Sequence, residues 1–376
     1  MNCKLYQMVF LELLCAGIWE RKPNIPQDFI EWEKVLQLAK SQSAYGIVGN
    51  VVLMNDEVAT RIPPELKKQI KPFLIRNVLS HNLLNSTLTK VVTTLRANGV
   101  ESVLLKGQGV AQNYPCPELR QCGDIDLYVG YEYAEKVHDL LAPLAVKIDA
   151  KDIIHTDKHY HVTMPGGVDV EIHLYTQKHC VRSIDIFYQK VSDKATSQNL
   201  SPYFFDGVLV NTPAIDFNAY FIFYHLFHHF LTSGVGLRQF CDWMLFLHTH
   251  HLRLDTTYLH EILVGMRQLE DWQAFGCVLV DWLELPEEEF PLFNRKHEIK
   301  VEKILQVVLK EGNFGKERSV HKNRSTNYLI YKTQSLMGHL GKALDLATTF
   351  PEPIWNQYRS TIIGGFARVW KDLKWW

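Results

Sequence analysis

The apolar positions of this chain change their spacing twice, and the changes divide it into three parts. In the first part, Phe10, Leu11, Leu14 and Ile18, then Trp32, Val35, Leu36, Leu38 and Ala39, recur every three or four residues, the period of an amphipathic helix. Pro23, Pro26, Pro63 and Pro64 punctuate the segment, and the glycine-free run from Leu66 to Ala97 predicts one or two long helices. The run Met8 to Ile18 has the apolar character of a leader. It is broken by Glu12, preceded only by Lys4 and followed by no small-residue cleavage site, so a buried helix is expected there instead.

From Asn98-Gly99, a helix stop, the pattern becomes strand-like. Val100 to Leu105 reads as a short buried strand and Ile125 to Val129 as a second strand, with a helix expected over Glu132 to Leu144. Pro165-Gly166-Gly167 predicts a hairpin turn between Tyr160–Thr163 and Val168–Leu174. The second of these arms alternates strictly and places Asp169, Glu171 and His173 on one face. Asp206-Gly207 marks another hairpin, between Tyr203–Phe205 and Val208–Val210. Thr212-Pro213 then predicts a helix start, with Thr as cap and Pro in the first turn, and the helical period continues to Trp376. The expected organisation is a helical region over 1–97, an α/β core over 98–211 and a helical domain over 212–376, an α+β fold.

The candidate chemistry lies in the central part. Gly123-Asp124-Ile125-Asp126-Leu127 puts two carboxylates two apart at a strand start, hence on one face. Adjacent carboxylates repel unless a cation lies between them, and Mg²⁺ (or Mn²⁺) is commonly held by one or two carboxylates plus substrate phosphates. Upstream, Leu104-Leu105-Lys106-Gly107 offers a glycine turn at which backbone can approach a phosphate. These features together point to metal-dependent chemistry on a nucleotide. With 47% apolar and 22% charged residues and a net charge of −1, the whole chain has no electrostatic signature for nucleic acid. Its seven scattered cysteines form no CxxC pair, which favours reduced thiols and a cytoplasmic setting, and no stretch is apolar enough to span a bilayer.

A strand, glycine turn and helix, then Asp-x-Asp on a second strand and an acid on a third, resembles the polymerase-beta type of nucleotidyltransferase. Leu-Leu-Lys-Gly (104–107), Tyr-Pro-x-Pro (114–117), Arg120, Gly-Asp-Ile-Asp-Leu (123–127), Val-Glu-Ile-His-Leu (170–174) and Gly-Leu-Arg-Gln-Phe-Cys-Asp-Trp (236–243) resemble, in order and spacing over roughly residues 30 to 320, an incompletely characterised bacterial family of such enzymes. The resemblance implies a mixed sheet flanked by helices, with Asp124, Asp126 and Glu171 as catalytic metal ligands and Glu171 also a candidate base. Asp169, on the same face, competes with Glu171 for the third-acid role. Lys106, Gly107, Arg120 and Arg238 would serve an NTP donor, His173 would orient Glu171, and Asp242, four residues after Arg238 on a helix, would hold that arginine. Where the superfamily has Gly followed by Gly or Ser, this chain has Gly107-Gln108.

The expected reaction is transfer of a nucleoside monophosphate from an NTP to a hydroxyl or phosphate of an unassigned small-molecule, sugar, peptide or protein acceptor. The rival is a non-catalytic nucleotide-binding module of the same fold. Other features have plainer explanations. His225, His228 and His229 are expected to be a satisfied histidine cluster and His248, His250 and His251 a solvated helix end. The basic segment 295–324 is expected to be a solvated helix and loop, and the aromatic end 366–376 a helix docked on the body.

Overall fold

The computed structural model describes residues 4–148, 159–179, 181–313 and 340–356. His155, the part of the basic segment beyond 313 and the terminal aromatic run 366–376 lie outside the described residues. The chain opens with helices α1 (Leu5–Ile18), α2 (Trp32–Ser41), α3 (Tyr45–Met54), α4 (Asp56–Arg61) and α5 (Pro64–Ala97). The long run thus forms one helix of 34 residues, with Pro72 inside it. At 1.5 Å per residue it extends about 50 Å. Gly99, at φ 70°, takes the left-handed conformation that turns the chain out of it.

The middle of the chain builds the sheet. In order come β1 (Val103–Leu104), the short helix α6 (Gln108–Ala111), β2 (Asp124–Tyr128), α7 (Ala134–Leu141), β3 (Lys147–Ile148), β4 (His159–Met164), β5 (Val168–His173), α8 (Arg182–Ser197), β6 (Ser201–Phe205) and β7 (Val208–Thr212). Among the described residues, the seven strands line up as β3-β4-β5-β2-β1-β7-β6. The sheet is mixed, because β2 runs parallel to β5 and β1 parallel to β7 while the other neighbours are antiparallel. Both expected hairpins are present, with Asp206 (φ 47°) and Gly207 (φ 80°) making the tight turn between β6 and β7.

Three boundaries differ from expectation. The first strand is confined to Val103–Leu104, with Val100 buried ahead of it. The Glu132–Leu144 helix begins as a 3-10 turn, Tyr131–Tyr133, and its α-helical part ends at Leu141, two residues before Pro143. Thr212 caps no helix: it closes β7, its hydroxyl donates to the Ser201 carbonyl across the hairpin at 2.7 Å, and the next helix starts at Ile215. Helix α8 is an additional element. Its Ile184, Tyr188, Val191 and Ala195 form the buried stripe of an amphipathic helix.

The C-terminal part contains α9 (Ile215–Leu231), α10 (Leu237–His250), α11 (Thr256–Gly265), α12 (Leu269–Leu283) and α13 (Val301–Glu311), with further helical residues at 340–347 and 351–356. Helix α9 is apolar nearly all round and is accordingly buried, with Phe217, Tyr220, Phe223, Phe227 and Phe230 at its centre. Removing each phenylalanine from water is worth roughly 1.5–3 kcal/mol.

The described residues form two cores. The larger joins the N-terminal helices to the C-terminal ones, although the sheet separates them in sequence. Gln42 on the N-terminal side donates to the Val308 carbonyl, and the Trp19 indole donates to the Leu283 carbonyl at 2.8 Å. The smaller core lies under one face of the sheet, where Ile125, Leu127, Val162, Val170 and Ile172 pack against Leu84, Leu88, Val91, Val92 and Leu95 of α5 and Val137 and Leu141 of α7. The sequence-derived α+β class is therefore that of the structure: a mixed sheet flanked by helices. No helix among the described residues is long and apolar enough to cross a membrane.

His250 corrects the expectation of a solvated histidine end. It is buried, shares a 3.1 Å hydrogen bond with the Tyr203 hydroxyl, and so ties α10 to the edge strand β6. Burial first, and the Arg253 charge second, lower its pKa from 6.5 to about 4. A histidine held neutral in the fold contributes stability that is complete above its unfolded pKa of 6.5 and is lost as pH falls through about 4. Urea denaturation midpoints should therefore fall between pH 7 and pH 4, and His250→Asn should flatten that fall. An unchanged slope in the variant would remove His250 as a cause.

Candidate active site

Strand pairing assembles the site. In the parallel ladder, Asp124 lies beside Asp169, Asp126 beside Glu171 and Tyr128 beside His173. The antiparallel neighbour β4 adds His159 beside His173, His161 beside Glu171 and Thr163 beside Asp169. Because alternate residues share a face, all of these project from the side of the sheet opposite α5. Ile125, Leu127, Val170 and Ile172 alternate with them and are fully buried in the smaller core. The apolar positions thereby anchor the acids.

The three acids named from the sequence converge. One ligand oxygen from each of Asp124, Asp126 and Glu171 lies within 4.8 Å of the others. Asp126 is fully buried; its Oδ1 receives the Lys106 ammonium at 3.1 Å and lies 3.0 Å from His173 Nε2. Its Oδ2 is buried with no hydrogen-bond partner among the described residues. Leaving a buried carboxylate oxygen without a partner is costly, and a cation beside it would offset that cost. Burial by itself would raise the Asp126 pKa, but the Lys106 charge and the His173 hydrogen bond outweigh it and hold the carboxyl ionised, well below its usual range. Asp124 is pushed upward by burial and by the neighbouring Asp126 charge. Glu171 is lowered, since its hydrogen bond with His173, at 3.3 Å, overcomes its burial. Desolvation lowers the His173 pKa, but the two carboxylates more than reverse this and raise it.

Asp169 is placed differently. It is exposed, accepts a 2.9 Å hydrogen bond from the Thr163 hydroxyl and is outside the converging set, so the geometry favours Glu171 as third acid. Gly107 adopts φ 62°, and a Cβ there would stand 3.3 Å from the Asp124 carbonyl. The tight turn therefore calls for glycine, and it delivers Lys106 to the acids. Gln108, at the position of the superfamily Ser, is turned away. Its buried amide bonds to Asn85 and approaches His81 on α5.

The two arginines part company. Arg120, buried, makes a two-pronged pair with Asp242, Nε to Oδ1 at 2.7 Å and Nη2 to Oδ2 at 2.8 Å, and the Tyr114 hydroxyl donates to the same carboxylate at 2.7 Å. The expected Arg238–Asp242 pair along α10 is thus replaced by one across the fold, where the planar guanidinium satisfies both carboxylate oxygens at once. Arg238 instead donates to the Gln121 carbonyl at 2.9 Å and lines the cavity.

That cavity has a volume of about 280 Å³. Lys106, Asp124, Asp126, Glu171 and His173 line one side, and Tyr224, His225, His228 and His229 of α9 face them. The histidines on α9 form a connected chain. Lys106 Nζ donates to His225 Nε2 at 2.9 Å, His225 and His229 meet at 3.1 Å, and His229 Nδ1 is 2.6 Å from the Ser233 hydroxyl. Burial, and then the Lys106 charge, keep His225 neutral, so it can accept from the ammonium. The cluster is satisfied, as expected, and it also forms a wall of the acidic site. The i, i+4 spacing of His225 and His229 was the only sign of this in the sequence.

The chain belongs to the family described as uncharacterised nucleotidyltransferase, whose model matches residues 28–272. Among solved structures, it is similar to an antigenic nucleotidyltransferase-like protein from Paracoccidioides brasiliensis, at 12% identity, with 54% of this chain and 92% of that one covered and a TM-score of 0.33. No curated protein matches it.

Removing one partner from a buried ion pair leaves the other charge uncompensated, at a cost of about 3–5 kcal/mol. Asp242→Ala should therefore lower the unfolding free energy by about that amount, whereas Arg238→Ala, which leaves the pair intact, should cost less than about 1.5 kcal/mol, the usual worth of one hydrogen bond. Chemical denaturation of both variants measures this. Equal losses would mean that Arg120 does not depend on Asp242.

Proposed function

We propose that the protein is a nucleotidyltransferase that moves a nucleoside monophosphate from an NTP to a hydroxyl or phosphate acceptor. The observation that carries this reading is the convergence of Asp124, Asp126 and Glu171 beside a buried, unpartnered Asp126 oxygen, in a cavity that also holds Lys106 and Arg238. An all-oxygen donor set suits a hard dication, so these three residues would hold Mg²⁺ or Mn²⁺. Such an ion, when bound, supplies neutralisation of phosphate charge and alignment for in-line displacement.

The protein groups have separable tasks. Arg238 provides a fixed positive charge for the triphosphate, and Lys106 another, already held among the carboxylates. The acceptor oxygen attacks the α-phosphorus, the bond to the β-phosphate oxygen breaks, and pyrophosphate leaves. Glu171 takes the acceptor proton, and His173, at 3.3 Å, orients its carboxylate. Arg120, bound to Asp242, acts on the site through the chain it fixes, Arg120 to Asp124, and not as a free phosphate ligand. The free thiols Cys15, Cys116, Cys122, Cys241 and Cys277 support a reducing, cytoplasmic setting.

Thermal unfolding with ATP, GTP, CTP or UTP, each with and without Mg²⁺, tests the reading. A donor present at about 100 times its dissociation constant stabilises the fold by about 2.7 kcal/mol. We expect at least one NTP to raise the melting temperature only with Mg²⁺, and Asp124→Asn to abolish the shift while the unliganded variant stays folded. Binding without pyrophosphate release across a broad acceptor panel would favour the non-catalytic module. Equal stabilisation of wild type and variant would contradict the metal assignment.

A further inference from the structure

We propose that His159, Glu171 and His173 form a second metal site, for a zinc-type transition-metal dication. The proposal goes beyond nucleotidyl transfer and does not rest on it, because zinc binding can be measured without nucleotide. The site follows from strand geometry. Glu171 and His173 are two apart on β5 and share a face, and the antiparallel register sets His159 of β4 directly beside His173. One ligand atom from each lies within 4.8 Å of the other two. His173 Nε2 is 3.3 Å and His159 Nε2 3.9 Å from the same Glu171 oxygen, Oε2, and the imidazole centroids are 5.1 Å apart.

The donor chemistry separates this cluster from its neighbour. Asp124, Asp126 and Glu171 offer only oxygens, whereas His159, Glu171 and His173 offer two imidazole nitrogens and one carboxylate. Mg²⁺ prefers oxygen ligands, while imidazole suits zinc and its transition-metal neighbours. Two histidines and a glutamate also form a known ligand set of zinc sites that keep a position open for water or substrate. The position is available here. The side chains of His159 and Glu171 are 29% and 19% exposed, and all three residues line the cavity. The two strands are anchored by Tyr160 and Ile172, the sequence neighbours of the ligands, which are buried in the sheet core. His161 stands 3.9 Å from the other Glu171 oxygen and supplies a further nitrogen at the rim. A cation on His173 Nε2 takes the place of the proton that this nitrogen shares with Asp126. Glu171 belongs to both clusters, which makes the two sites neighbours along one sheet face.

The test uses the full chain, stripped with chelator and dialysed against Zn²⁺ in excess Mg²⁺. Metal analysis gives the stoichiometry, and zinc-edge X-ray absorption identifies the ligands. The expected result is one zinc per chain, retained against Mg²⁺, with two imidazoles in its coordination shell. His159→Gln should weaken binding by at least about tenfold, while Asp124→Asn and His229→Gln keep the zinc; circular dichroism confirms that each variant is folded. Three results would each overturn the proposal: zinc bound without imidazole, zinc displaced by Mg²⁺, or zinc retained by His159→Gln but lost from His229→Gln, which would assign it to α9.

Discussion

The register between β2 and β5 is the constraint on which this structure depends. A shift of one residue in either strand would turn its acids into the apolar core and its apolar residues into the cavity. The register is enforced from below, where Ile125, Leu127, Val170 and Ile172 meet the buried stripe of α5. The helix that reads as scaffolding therefore fixes the separation of Asp126 and Glu171 on the other face. The parallel direction of the pair matters too. It requires a long crossover between β2 and β5, and α7, β3 and β4 fill that crossover, which is how His159 and His161 arrive beside Glu171.

Clustering carboxylates on one face creates an electrostatic cost that the same face must relieve. Lys106 and His173 both address one oxygen of Asp126, and the other oxygen is buried without a partner among the described residues. Lys106 and His173 thus offset the Asp126 charge through a single oxygen. Helix α9 supports this arrangement at a distance. Its buried aromatic side anchors it in the larger core, and its other side presents His225 as an acceptor that holds the Lys106 ammonium. The Arg120–Asp242 pair has a corresponding role between β2 and α10, since it joins the segment just before Asp124 to the helix that carries Arg238. The helical regions at both ends of the chain share one core, so the cavity wall is braced by residues from far apart in sequence.

Short-range periodicity made much of this legible. The alternation of Asp124 with Ile125 and Asp126, and of Asp169 with Val170, Glu171, Ile172 and His173, gave both strands and the face of each acid, because the period of two is a local property. The Pro165-Gly166-Gly167 and Asp206-Gly207 turns were equally local. What the sequence concealed depends on distant partners. Arg238 and Asp242 sit four apart on one helix, yet Asp242 is taken by Arg120, 122 residues away. Lys106 meets His225 across 119 residues. The choice between Asp169 and Glu171 depends on which one faces Asp126 across the parallel ladder, and no spacing within β5 reveals that. His250 looked solvated because its neighbours are polar, and only the packing of α10 against β6 buries it. At Thr212-Pro213 the local cap signal lost to the strand, which used the threonine hydroxyl to close its hairpin.

The central claim is that Asp124, Asp126 and Glu171 together form a cation site. Its most direct test is a crystal structure of the protein with Mn²⁺ and a non-hydrolysable NTP, with data collected for anomalous scattering from manganese. An anomalous peak bounded by these three carboxylates, with a phosphate oxygen completing its shell, is the predicted result. Manganese elsewhere, with Asp126 still bound only by Lys106 and His173, would contradict it.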